Sequence, residues 1–296
     1  MTGVLLMAYG AAASLDEIPQ YLADIRRGRP ADPALIEDVR RRYERIGGRS
    51  PLPEITAAQA RALQAALGPG FRVGFGMRHS APRIADALGP LASGCETLVG
   101  LPLTPFASRL STGAYFDAMA EAAKAHPALK VVRAASFHDH PRLVAALAER
   151  AQDALSRAGE GAALLLTAHS LPSRIEAEGD PYARQLRETA ALVAGKLGLS
   201  RWHFAYQSRG RTGEEWLGPE AGDVIARLAA EGTKALALAP IGFVSEHLET
   251  LYDDDVQYRE QAQRLGLRFS RAAALNDHPG FIDALADAAR KAVGTL

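Results

Sequence analysis

The sequence has little that would support disulfides, membrane insertion or nucleic-acid binding. Only one of the 296 residues is a cysteine, Cys95, so an internal disulfide and a cysteine-ligated iron–sulfur cluster are both excluded by ligand count. The 34 basic and 34 acidic side chains cancel, whereas a nucleic-acid-binding domain normally carries a basic excess. No run approaches the roughly 18 apolar residues of a membrane span. The N-terminus also lacks the basic start and long apolar core of a signal peptide. We therefore expect a cytoplasmic protein without a transmembrane segment.

Several common catalytic and cofactor motifs are also missing. The chain has no Gly-x-Gly-x-x-Gly sequence and no P-loop, which argues against a nucleotide ligand. It has no His-Glu-x-x-His zinc motif and no Gly-x-Ser-x-Gly elbow, so a zinc-protease site is not indicated and a serine hydrolase remains only a weak alternative.

Apolar runs alternate with helical stretches rich in Ala, Leu and Arg, which is typical of parallel α/β sheets. Eight strands are predicted, near residues 3–8, 71–76, 96–103, 130–135, 162–168, 202–207, 234–241 and 266–271. The chain length is natural for two domains rather than one.

The second half of the chain repeats the first. Residues 129–141 resemble residues 267–279, and Leu101-Pro102 and Ala239-Pro240 stand at the same offset of 138 (240 − 102). Such similarity predicts two related Rossmann-like domains. We place them at residues 1–145 and 146–296, with the last helix packing back on the first domain, and expect a ligand cleft between them.

The first half carries an additional segment at about residues 11–60. It holds two clusters of arginine, of which Arg26 and Arg42 are representative. A solvated loop would account for such a composition. Guanidinium groups also bind carboxylates in a bidentate manner, so the alternative is a site for a ligand with several carboxylates.

An acidic segment near the C-terminus is the second chemical signal. Glu249, Asp253 and Gln257 are four residues apart and share one face if the segment is an α-helix. No basic residue follows until Arg259, so the repulsion between the acids favours a divalent cation. The alternative is the solvated face of an amphipathic helix.

Two strand ends carry candidate site residues. His169 follows the apolar run Leu164–Ala168, and Tyr9 ends the first predicted strand. A histidine there is either a helix-capping or core residue, or a base that titrates near neutral pH. Tyr9 is either a buried tyrosine with a satisfied hydroxyl or an axial ligand of iron.

Motifs along almost the whole chain resemble the ferrochelatase family, and in particular its bacterial coproporphyrin III type. The matching segments are Met7–Gly10, Tyr21–Arg29, Arg42–Leu52, Ala168–Pro172, Gly179–Tyr182, Tyr206–Arg209 and Pro240–Asp253. The resemblance implies a chelatase-like fold of two similar α/β domains with a tetrapyrrole in the cleft. It also implies a metal–porphyrin lyase that inserts Fe²⁺ into coproporphyrin III in haem biosynthesis and releases two protons.

The resemblance assigns roles to individual residues. His169 and Glu249 are then the catalytic and metal-binding residues, Asp253 is an accessory metal ligand, and Tyr9 is axial to the product iron. Contacts to the tetrapyrrole fall, by resemblance, on the following residues: Tyr9, Arg26, Arg42, Tyr43, Ser50 and Tyr115. Gln257 departs from the family, which often has a third carboxylate at that position, and a metal relay along this segment would lose one charge.

The expected substrates are a porphyrin and ferrous iron, with no resident cofactor and with a downstream enzyme of the haem pathway as a partner. Three alternatives stay open: insertion into protoporphyrin IX, a non-catalytic carrier of tetrapyrrole or haem, and a chelatase for another metal.

Overall fold

A computed structural model describes residues 1–210 and 213–294. Its strands are β1 (Thr2–Ala8), β2 (Phe71–Met77), β3 (Thr97–Pro102), β4 (Lys130–Arg133), β5 (Ala163–His169), β6 (His203–Gln207), β7 (Ala235–Ala239) and β8 (Arg268–Arg271). They form two parallel four-stranded sheets, ordered β2-β1-β3-β4 and β6-β5-β7-β8. The eight predicted strands and the α/β class are confirmed.

Helices connect the strands of both sheets. The α-helices are α1 (Ile18–Ile25), α2 (Pro33–Arg45), α3 (Leu52–Leu67), α4 (Ile84–Ala92), α5 (Ala114–Ala123), α6 (Pro141–Ala158), α7 (Arg174–Ala177), α8 (Tyr182–Lys196), α9 (Ala221–Ala230), α10 (Arg259–Arg264) and α11 (Pro279–Ala292). Two segments are π-helices, π1 (Arg109–Gly113) and π2 (Glu249–Tyr258). Among the described residues, no helix has both the length and the apolar character needed to cross a membrane.

The chain folds as two compact units. The first comprises Met1–Phe137 together with the C-terminal segment from Asn276, and the second is His138–Leu275. The division comes before the predicted boundary at 145, because α6 packs on β7 and β8 of the second unit. The segment from Asn276 belongs to the first unit because α11 packs on α3 and β3.

The central strands of each sheet are built from uninterrupted apolar sequence. Every residue of β7 is buried, as are Gly3–Ala8 in β1. Burial on both faces is typical of parallel sheets covered by helices. The α-helices bring one apolar stripe to this core, as in α6, which buries Leu143, Val144 and Leu147.

The strand register confirms the internal repeat. Gly3 pairs with Leu98 in the first sheet, and Ala163 pairs with Leu236 in the second. Thr97 pairs with Lys130 and Ala235 pairs with Arg268, so both members of the second pair stand 138 residues beyond those of the first (235 − 97 and 268 − 130), as Leu236 stands beyond Leu98. Counting forward from Gly3 and Ala163, Tyr9 and His169 occupy equivalent positions.

The most similar sequence segments of the repeat are helix starts. His140 accepts a hydrogen bond at Nδ1 from the backbone N–H of Arg142, and His278 accepts one in the same way from Gly280. Each histidine is followed by a proline, which tolerates the first helical position because no N–H is needed there. The repeated His-Pro pairs therefore cap α6 and α11.

Candidate active site

The second unit brings together two of the residues predicted to be catalytic. His169 is the last residue of β5 and Glu249 is the first residue of π2. His169 Nδ1 lies 3.2 Å from Glu249 Oε2, and this is an ionic contact rather than a well-aligned hydrogen bond. His247 Nε2 lies 3.6 Å from the same oxygen. The aromatic rings of Phe243 and Trp216 stand edge-on to His169, with centroids 6.2 and 6.5 Å away.

His169 and Glu249 shift each other's pKa in opposite directions. Burial favours the neutral form of both groups, but the neighbouring charges outweigh it. The carboxylates of Glu249 and Asp253 raise the pKa of His169, and the imidazoles of His169 and His247 lower the pKa of Glu249. Each group therefore stabilises the charged form of the other.

The acidic segment is a π-helix, not the α-helix that the spacing predicted. Its wider turns close i→i+5 hydrogen bonds, a pattern that apolar periodicity does not reveal. Asp253 follows Glu249 by four residues, and its Oδ2 accepts a hydrogen bond of 2.5 Å from Ser208 Oγ. Gln257 is exposed. Across residues 1–210 and 213–294, no three His, Cys, Asp or Glu side chains form a group that could hold a metal.

Two arginines neutralise part of the acidic segment. Arg271, at the end of β8, binds Glu246 and Asp255, and Arg259 binds the other oxygen of Asp255. Sequence spacing does not indicate Arg271, because it lies 16 residues beyond Asp255.

The neighbouring Asp254 has a different environment. Asp254 is fully buried and accepts a hydrogen bond of 2.8 Å from Gln207 Nε2. Burial raises the pKa of its carboxyl well above the ordinary value, which favours the neutral acid. Among the other acids of the segment, Arg271 neutralises Glu246, and Arg271 and Arg259 together neutralise Asp255.

The first unit presents Tyr9 just after β1. Tyr9 is 42% exposed, and its ring centroid lies 4.6 Å from that of His79. His79 follows β2, is buried, and its Nδ1 lies 2.6 Å from Asp24 Oδ2. Arg83 donates to both oxygens of Asp24, at 2.9 and 3.0 Å. Burial lowers the pKa of His79, although Asp24 opposes the shift.

His79, Asp24 and Arg83 were not predicted from the sequence. The signal that could have identified His79 is its place at a strand end, the same criterion that selected Tyr9 and His169.

Two predicted tetrapyrrole contacts support the backbone near Tyr9 and at the start of α3. Tyr43 is 1% exposed, and its hydroxyl accepts a hydrogen bond from the backbone N–H of Ala12 at 3.1 Å. Ser50 is also buried, and its Oγ accepts from the N–H of Leu52. These contacts give both residues a structural role, and their contact with a tetrapyrrole stays a prediction.

The remaining predicted contacts differ in exposure. Arg26 is exposed after α1. Arg42 in α2 is half-buried and pairs with Asp38 at 3.1 Å. Tyr115 in α5 is buried, and this burial raises the pKa of its hydroxyl.

Known structures share the fold. The sirohydrochlorin chelatase SirB from Bacillus subtilis subspecies spizizenii, solved with cobalt, aligns with a TM-score of 0.62, 13% identity, and coverage of 99% of this chain and 95% of that one. CbiX, described as the terminal enzyme of sirohaem biosynthesis in denitrifying bacteria, aligns at 0.56 and 18% identity, covering 98% and 99%. At these identities the likeness establishes the fold alone.

Sequence relatives identify the family. The Ferrochelatase family profile matches residues 1–293. A ferrochelatase from Herpetosiphon aurantiacus is 39% identical and covers 96% of both chains. One from Deinococcus radiodurans is 41% identical, covering 96% of this chain and 93% of its own. The coproporphyrin III ferrochelatase of Bacillus subtilis is 36% identical, covering 99% and 98%. The chain therefore belongs to the ferrochelatase family of enzymes, which insert metal into porphyrin.

Proposed function

We propose that this enzyme inserts Fe²⁺ into coproporphyrin III and releases the two pyrrole protons. The observation that carries the proposal is the 3.2 Å contact between His169 and Glu249. An imidazole and a carboxylate at that distance can replace water ligands of a divalent ion. The same imidazole can accept a proton near neutral pH.

The ion pair suggests an order of events. When His169 is protonated, its imidazolium balances the carboxylate of Glu249. The imidazolium of His169 must lose its proton before it can bind Fe²⁺ or act as a base. The incoming Fe²⁺ then balances the negative charge of Glu249 in place of that proton. Nδ1 faces Glu249, so we assign proton acceptance from the porphyrin to Nε2. Asp253, held by Ser208, is proposed to pass hydrated Fe²⁺ towards Glu249.

The choice of coproporphyrin III rests on two observations. Several relatives at 36–38% identity carry that name, whereas others are named ferrochelatase only. The arginines of the first unit also suit a substrate with more carboxylates. Protoporphyrin IX is the alternative substrate. In this proposal Tyr9 contacts the tetrapyrrole and is axial to the product iron.

Replacement of His169 tests the reaction. Under anaerobic conditions with Fe²⁺, we expect His169→Ala to lose roughly 10²–10⁴-fold in metallation, because it removes the base, while coproporphyrin binding persists. The measurement is the loss of the free-base absorption bands, and porphyrin fluorescence quenching reports binding. His203→Ala is the matched control, because His203 lies at the other end of the same sheet, at the start of β6. Wild-type turnover in His169→Ala would show that His169 has only a structural role.

A second experiment tests the substrate. Arg26→Ala and Arg42→Ala should weaken binding of coproporphyrin III more than that of protoporphyrin IX, by about 1.5–3 kcal/mol for each charged hydrogen bond lost. Asp38→Ala is the control for Arg42, because it removes the ion pair and keeps the guanidinium. Equal weakening of both porphyrins would contradict the assignment.

The other readings give different results in the same assays. A carrier would bind porphyrin or haem without loss of the free-base bands when Fe²⁺ is added. A chelatase for another metal would turn over with Co²⁺ or Ni²⁺ and not with Fe²⁺.

A further inference from the structure

Arg271 contacts the acidic segment on both sides of the two proposed iron ligands. Its Nη1 lies 2.8 Å from Glu246 Oε1, and its Nη2 and Nε lie 2.6 and 2.9 Å from Asp255 Oδ2. Glu246 precedes π2 and Asp255 lies within it. In the sequence, Glu249 and Asp253 therefore lie between Glu246 and Asp255, and the guanidinium of Arg271 binds both of these flanking carboxylates.

The two anchoring acids are fully committed to structural contacts. Glu246 Oε1 also accepts from the backbone N–H of Ala274, and its Oε2 accepts from Thr250 Oγ1. Asp255 Oδ1 accepts from Arg259 Nη2. The side chains of Arg271 and Glu246 are only 9% and 13% exposed, so the ion pair between them is shielded from water and is costly to break.

The contacts matter because π2 has an uncommon geometry. An α-helix has 3.6 residues per turn, so in that form Asp253 would stand about 40° past Glu249 around the axis. The wider π-turn places the same residue short of one full turn instead. Holding Glu246 and Asp255 together fixes this wider register, and with it the direction of the two carboxylates between them.

We propose that Arg271 is a positioning residue for the iron ligands: by holding π2 in its π-helical register, it fixes the direction of the Glu249 carboxylate relative to that of Asp253. This inference rests on the proposed function. A guanidinium is required because its planar fork can bind both carboxylates at once, whereas an ammonium acts as a single point charge.

The test is Arg271→Lys, which keeps the charge and removes the fork. Co²⁺ is the metal probe, and its affinity is followed by visible absorption. We expect Co²⁺ binding to weaken about tenfold and KM for Fe²⁺ to rise by a similar factor, with unchanged coproporphyrin binding. Arg268→Lys is the matched control: Arg268 is on the same strand but donates to the backbone carbonyls of Ala158 and Glu160, not to π2. It should leave both ligands unaffected.

A second variant covers the case in which Arg271→Lys does not fold. Asp255→Asn removes one of the two anchors and should weaken Co²⁺ binding while porphyrin binding stays intact. Unchanged Co²⁺ affinity in a folded variant, or equal weakening of Co²⁺ and porphyrin, overturns the proposal. If wild-type protein itself fails to bind Co²⁺ in a His169-dependent manner, the proposed function fails instead, so the two failures are distinguishable.

Discussion

At the scale of the residue, Ser208 combines a strained backbone with a contact to a proposed iron ligand. Its φ of 58° lies in the left-handed region, which costs a residue with a Cβ about 1–2 kcal/mol. Its hydroxyl donates to Asp253. Strain of this kind persists only where surrounding contacts hold the backbone in place. The hydrogen bond from the Ser208 hydroxyl to Asp253 is such a contact.

Two substitutions separate the strain from the hydroxyl. Ser208→Ala and Ser208→Gly both remove the donor to Asp253, but glycine relieves the left-handed strain. We expect Ser208→Gly to be more stable than Ser208→Ala by about 1 kcal/mol, with the same loss of Co²⁺ affinity in both. Thermal unfolding and metal titration measure the two effects. If the glycine variant recovers metal affinity, the backbone and not the hydroxyl is what matters. In an Asp253→Asn background neither change should weaken binding further.

Some of these residues could be predicted from the sequence and others could not. His169 and Glu249 both follow uninterrupted apolar strands, and parallel strands end at one edge of a sheet, so their meeting follows from the pattern. Gln207 and Arg271 end β6 and β8 of the same sheet, so the same reasoning places them at this edge, but it does not indicate which acid each one binds. Gln207 and Asp254 are 47 residues apart, and nothing in either local sequence marks the contact.

At the scale of the element, the loop after β7 lies very close to β5. The backbone N–H of Gly242 donates to Thr167 O at 3.1 Å. A Cβ on Gly242 would come within 2.5 Å of Ala168 Cβ. Only glycine allows this approach, which brings the chain leading to π2 against the residue before His169.

Gly242→Ala should therefore disturb both stability and chemistry. We expect a loss of about 1–3 kcal/mol, which is typical of overpacking, together with reduced metallation because the end of β5 is displaced. Chemical denaturation and the iron-insertion assay measure these effects. Gly195→Ala is the control, since a Cβ at that position in α8 meets no atom within 4 Å, and there alanine favours the helix by roughly 0.5–1 kcal/mol. Wild-type stability in Gly242→Ala would show that β5 and the loop can move apart without cost.

The elements also show where sequence periodicity fails. The central strands β1, β3, β5 and β7 were predictable because they are short apolar runs that a parallel sheet buries on both faces. The edge strands β4 and β8 carry a charged residue at each end and are less buried. The π-helices were not predictable, because Glu249, Asp253 and Gln257 fit the spacing of an α-helix equally well. Both π-helices come soon after the third strand of their unit. If one π-helix had been known, the internal repeat would therefore have predicted the other.

At the scale of the whole molecule, the C-terminal helix belongs to the unit that the N-terminus builds. Gln59 Nε2 donates to Asn276 O at 2.9 Å, and Arg290 Nη2 donates to Ala66 O at 2.8 Å. The rings of Phe137 and Phe281 lie 6.4 Å apart. The first unit is therefore complete only when the last segment of the chain has been added. The ligand cleft predicted between the domains stays a prediction.

Phe281→Ala tests this assignment. Phe281 is fully buried, and loss of such a side chain typically costs about 3–5 kcal/mol. We expect amide hydrogen exchange to accelerate in peptides from residues 1–137, while those from 138–275 keep their protection. Lys291→Ala, an exposed change on the same helix, serves as the control. Faster exchange confined to 138–275 would contradict the division of the chain.

The single cysteine gives the molecule an intrinsic reporter. Cys95 is buried just before β3, in the first unit. A thiol-specific reagent reaches it only when that unit opens, and no other sulfhydryl in the chain competes for the reagent. The rate of modification thus measures opening of one half of the protein without an introduced label. Its dependence on added coproporphyrin would reveal directly whether the ligand stabilises that half.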